Sequence, residues 1–173
     1  MYLISIYFDK DTEKRINSMM QHVADAIGNT FMQDNQVPAH ITVAAVETKQ
    51  EDVLISRMEE LVERLNGGNI QFVSIGSFGS KVIFIQPVLN EYLHNLSKQI
   101  AQELNSMDDT IPSPYYKPFH WLAHASIAKH LNKSQMQQAF SVLQNEFVPM
   151  EGKVVRIGVA KTNPHRDIKL WEL

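Results

Sequence analysis

The sequence contains no cysteine. That absence removes disulfides, thiolate metal ligands and cysteine nucleophiles together and fits a reducing compartment, so the cytoplasm is the expected location. No apolar stretch approaches the roughly 20 residues that a membrane helix requires. The N-terminal MYLISIYFDKDTEK has no basic region before its apolar run and no small-residue cleavage site after it. It therefore reads as a first strand and not as a signal peptide. Lys and Arg form no run, and the net charge is -3, which disfavours a long polyanion held by many phosphate contacts and any extended nucleic-acid surface. A ligand with one or two phosphates stays compatible. A Gly-x-Ser-x-Gly elbow and a phosphate-cradling glycine loop are both missing, so serine hydrolase and nucleoside triphosphatase chemistry lack support.

What is present is a chain of 173 residues, enough for one domain spanning 1–173 that buries its apolar side chains without covalent staples. A strand is expected over 2–8, then an amphipathic helix over 11–27 with Ile16, Met19, Met20, Val23 and Ile27 on one stripe, capped by Asp11 and ended by Gly28. A strand at 40–46 follows a polar loop. Helix 50–65, a hairpin of strands 69–77 and 81–87, and helix 89–106 with Leu89, Leu93, Leu96, Ile100 and Leu104 inward come next. The segment 108–118, with three prolines, reads as loop. A strand at 122–128, a helix at 133–146 and closing strands at 151–160 and 167–172 complete the pattern.

Two of these strands carry an unusual polar face. His40 and Thr42 share one side of the first, and His124 and Ser126 share one side of the second, with apolar residues opposite in each case. A lone His-x-Thr/Ser triplet carries little information. Here both triplets occupy the same slot of a repeated order (strand, helix, His strand, helix, strand), and in each case the next strand is expected 30 residues on, near Ile70 and Val154. The repetition implies two similar lobes related by an approximate twofold axis, α+β in class, with mostly antiparallel sheet backed by helices and a cleft between. Such a cleft would place two imidazoles about one phosphate. One could take a proton from water and the other give one to a leaving ribose oxygen, since the ordinary histidine pKa of about 6.5 suits both tasks. The hydroxyls of Thr42 and Ser126 would donate to the phosphate oxygens.

Pro-x-His40-Ile-Thr42-Val and His124-Ala-Ser126-Ile resemble the paired signatures of the 2H phosphoesterase superfamily, the LigT-like or 2'-5' RNA ligase-like family. Gly76-Ser-Phe78, Lys81-Val-Ile-Phe84 and the terminal Trp171-Glu-Leu resemble that family's central hairpin and closing strand, so the likeness runs along essentially the whole chain. It implies a bilobal fold, catalysis by the two histidines without metal or other cofactor, and action on 2',3'-cyclic phosphates of RNA ends or nucleotides, often leaving a 2'-phosphate. Ligation or cleavage of 2'-5' RNA linkages, opening of ADP-ribose cyclic phosphate, and nucleotide or RNA-end binding without turnover are the alternatives. The family frequently has a basic residue, commonly Arg, three positions after the second hydroxyl. Here that position is Lys129, which keeps the charge without the bidentate fork, and strict alternation turns it away from His124.

Tyr115, Tyr116 and Trp121 crowd the approach to the second motif, where an aromatic could stack on a base, and Lys81 opens a strand from which it could reach a phosphate. His120 lies four residues before His124 on an extended segment with no carboxylate to complete a zinc set, so no metal site is expected. His22, His94, His130 and His165 read as surface or capping residues. A monomer acting on a nucleotide or RNA-end substrate, away from membranes, is the expectation.

Overall fold

A computed structural model describes residues 1–162 and 166–173; His165 lies outside them. The chain runs through β1 (Tyr2–Phe8), α1 (Lys10–Ile27), α2 (Phe31–Asp34), β2 (His40–Glu47), α3 (Glu51–Val62), β3 (Gly68–Phe78) and β4 (Val82–Pro87). It continues through α4 (Glu91–Asn105), β5 (Ile111–Pro112), a 3-10 turn (Pro114–Tyr116), β6 (Ala125–Lys129), α5 (Lys133–Glu146), β7 (Met150–Lys161) and β8 (Arg166–Glu172). The class is α+β, with every strand pair antiparallel.

Several boundaries shift for local chemical reasons. Helix α1 begins one residue earlier than its periodicity indicates, because Asp9 and not Asp11 is the cap: its carboxylate accepts from the Thr12 amide at 3.1 Å. Gly28 closes the helix in the left-handed conformation at φ 63°, as expected. Asn90 caps α4 through the Leu93 amide, which leaves Leu89 outside the helix and 43% exposed instead of in the core stripe. The stripe Leu93, Leu96, Ile100 and Leu104 is buried, as are Ile16, Met19, Met20, Val23 and Ile27 of α1. A short helix, α2, stands in what reads as a polar loop, and β5 stands in the proline-rich one.

The sheet order β5-β2-β1-β7-β3-β4-β6, with β8 on β7, carries the internal symmetry. Taking β1, β2 and β3 as one half of the repeat and β4, β6 and β7 as the other, the path β2-β1-β7 mirrors β6-β4-β3. Each lobe therefore takes its third strand from the opposite half, and β7 pairs with β3 at the centre. The histidine-to-strand intervals are similar without being identical: β3 starts 28 residues after His40 and β7 starts 26 after His124. Helices follow the same symmetry, α1 with α5 and α4 with α3. The first helix of each half also packs against the histidine strand of the other, α1 on β6 and α4 on β2.

Even the irregularities match. β2 carries an extra residue, Val43, between the partners of Ile4 and Ser5, and β6 carries Ile127 between the partners of Ile83 and Phe84. In both strands the bulge falls one residue after the motif hydroxyl. A second matched pair places extra residues at Val155 of β7 and Val73 of β3. Bulges bend a strand and reset which face its later residues occupy, so the paired bulges bear directly on the site.

Candidate active site

β2 and β6 stand toward opposite ends of the hydrogen-bonded path yet make contact with each other. Between them opens a cleft of about 720 Å³ lined by both histidines and by Thr42, Ser126 and Lys129. No Asp or Glu among the described residues lines it. His40 opens β2, whereas His124 lies immediately before β6, which starts at Ala125 and not at 122. The two rings are held alike. His40 Nδ1 lies 2.7 Å from the Pro38 carbonyl and His124 Nδ1 lies 2.8 Å from the Leu122 carbonyl, each two residues upstream. A carbonyl only accepts, so each Nδ1 carries hydrogen, and in the neutral ring the lone pair sits on Nε2.

Thr42 and Ser126 are buried residues that nonetheless line the cleft. Thr42 Oγ1 shares a 3.3 Å hydrogen bond with Ser5 Oγ, directly opposite it on β1. On the other side the residue opposite Ser126 is Phe84. Phe84 and Phe78 enclose the His124 ring, with centroids at 5.0 and 4.9 Å, Phe78 meeting it edge-on. Burial pulls the His124 pKa below its ordinary value, the Leu122 hydrogen bond opposes that shift, and the Lys129 charge adds to it. Burial likewise lowers the Lys129 pKa.

Lys129 reaches the cleft because of the bulge at Ile127. Strict alternation from Ser126 would turn it away. One inserted residue reverses that parity, and Lys129 stands opposite Val82, which also lines the cleft. At the corresponding place in β2, three residues after Thr42, the residue is Ala45, so β2 has no counterpart of Lys129 there.

Of the remaining candidates, Tyr115, Tyr116 and Trp121 line the cleft, as does His120. Tyr115 stands at its rim, 81% exposed, while Trp121 is buried at 7% and its indole N–H donates to the Thr42 carbonyl at 3.0 Å. Lys81 does not join them: it lies exposed in the turn before β4, outside the cleft lining. His22 pairs with Glu146 on the helical surface, His94 packs at a tilt against Phe119, and His130 packs at a tilt against Phe31. The enclosure of His124 by Phe78 and Phe84, and the Ser5 partner of Thr42, are absent from the sequence reading. Cross-strand register would have been needed to find them.

Residues 9–166 match the sequence profile of the 2'-5' RNA ligase superfamily. The chain belongs to this superfamily. Its phosphodiesterase- or RNA-ligase-type chemistry makes the protein an enzyme of that broad kind. Among solved structures, the fold is similar to E. coli LigT complexed with 3'-AMP at 14% identity and a TM-score of 0.62, covering 99% of this chain and 97% of that one. A protein described as a phosphoesterase matches at 17% identity and 0.61, with the same coverage. E. coli LigT complexed with ATP matches at 14% and 0.56, covering 99% and 96%. Curated protein sequences return no match. Among the described residues, no helix is long and apolar enough to cross a membrane.

Proposed function

We propose that this member of the superfamily is a metal-independent phosphodiesterase that opens 2',3'-cyclic phosphates on nucleotides or RNA ends, with His40 and His124 as its acid-base pair. The observation that carries this reading is the matched setting of the two imidazoles: each is fixed through Nδ1 to a carbonyl two residues upstream, and both line one cleft with the motif residues Thr42 and Ser126, Lys129 and, among the described residues, no Asp or Glu.

In the reaction, water gives a proton to one Nε2 as its oxygen bonds to phosphorus. The bond from phosphorus to the ribose 3'-oxygen breaks, and that oxygen takes a proton from the other imidazolium, leaving a 2'-phosphate. Thr42 and Ser126 donate to the non-bridging oxygens, where charge grows in the transition state, and Lys129 adds a positive charge on the His124 side. Burial and the neighbouring Lys129 charge favour the neutral form of His124, which suits it to accept the proton, with His40 as the donor in this reading.

The superfamily's description supports a second reading, cleavage or formation of 2'-5' RNA linkages by the same pair. The deciding experiment incubates the purified protein in EDTA with nucleoside 2',3'-cyclic phosphates and with 2'-5'-linked dinucleotides, and identifies products chromatographically. Appearance of nucleoside 2'-phosphate from the cyclic substrate supports the first reading. Turnover confined to the dinucleotides moves the assignment to the second, and survival of every substrate overturns both.

A further inference from the structure

Trp121 stands three residues before His124, on the segment that leads into β6, and its hydrogen-bond partner belongs to the other lobe. Its Nε1–H donates to the main-chain carbonyl of Thr42, 3.0 Å away and 79 positions distant in sequence. β5 pairs with β2 at Val46 and Glu47, and the indole donates to β2 further along, at Thr42. His40 is two residues from Thr42. One hydrogen bond thus ties the approach to one histidine to the strand that carries the other, between strands that no hydrogen-bonded ladder joins directly.

We propose that Trp121 is a positioning residue whose indole N–H sets the separation of the two half-sites, so that both imidazoles engage the same phosphate. The proposal rests on the acid-base reading above. Simultaneous proton transfer at both ends of a phosphodiester demands that two groups from different lobes arrive in register, and an error near 1 Å can cost on the order of a hundredfold in rate. The competing role is a stacking platform for a base. A platform presents an open ring face, whereas this ring is 7% exposed and packed in the core.

The two roles separate on substitution. Trp121→Phe keeps an aromatic face and removes the N–H. Replacement of Trp121 by benzothienylalanine, in which sulfur stands for the N–H at nearly constant shape, isolates the donor even where the Phe variant packs poorly. With a nucleoside 2',3'-cyclic phosphate, the expected result for both is a kcat lowered roughly 10- to 100-fold with KM within about twofold of wild type. A kcat within about twofold of wild type in the isosteric variant, or a raised KM with kcat retained, would overturn the proposal. A second readout needs no turnover: histidine 15N resonances are followed while a nucleoside 2'-phosphate is added. In the wild type both His40 and His124 are expected to shift as the ligand binds, and in the isosteric variant only one of the two is expected to shift. Joint response in the variant overturns the proposal whether or not the cyclic phosphate proves to be the substrate.

Discussion

His124 and Lys129 show how little of a site's chemistry resides in a motif alone. The triplet His124-Ala-Ser126 says nothing of the ring's surroundings, yet burial and the neighbouring lysine lower the ring's affinity for a proton against the opposing Leu122 hydrogen bond. Burial disfavours the imidazolium first, and the positive Lys129 disfavours it further. Removing that charge restores proton affinity, so Lys129→Ala is expected to raise the His124 pKa and move the acidic limb of kcat/KM toward higher pH. Histidine NMR titration and a pH-rate profile check both parts. The same variant loses a charged partner for phosphate, typically about 1.5–3 kcal/mol, so KM is expected to rise by roughly tenfold or more. The histidines and hydroxyls were legible in the sequence because strand alternation acts between residues two apart. Phe84, Phe78 and Ser5 were not, because their proximity arises from pairing between strands far apart in the chain.

Elements differ in how fully short-range rules specify them. Helix α5 is where periodicity places it, at 133–146, with Asn132 and Gln135 forming a reciprocal cap. Helix α1 starts earlier than its apolar stripe because the cap is set by the carboxylate that reaches the Thr12 amide, and that carboxylate belongs to Asp9. Asp9→Ala is therefore expected to lower stability by about 1 kcal/mol in urea unfolding, while Asp11→Ala changes it little. The β6 bulge was the feature least accessible to pattern: alternation sends Lys129 outward, and only pairing with β4 reveals the inserted Ile127 that brings it back. On β3, Gly76 lies opposite Phe84, and a Cβ there would collide with that ring. Gly76→Ala is expected to displace Phe84 from His124, costing roughly 1–3 kcal/mol of stability and lowering kcat, as thermal unfolding and steady-state rates would show.

Across the whole molecule, the duplicated order of elements was readable from sequence, but the exchange of third strands between halves was not. Periodicity identifies strands without naming their neighbours. In the fold, β7 completes the lobe of β1 and β2, and β3 completes that of β4 and β6, so neither half of the chain forms its lobe alone. The exchange, the paired bulges and the matched helix contacts present two His-x-hydroxyl strands to one cleft. The central claim is that the two histidines act as one catalytic unit. It is tested most directly by measuring hydrolysis of a nucleoside 2',3'-cyclic phosphate in EDTA by the wild type, His40→Ala, His124→Ala and the double variant. Each single variant is expected to lose at least about a hundredfold in kcat, the scale of general acid-base catalysis, with the double variant little worse than either. Wild-type turnover retained by either single variant would contradict the account.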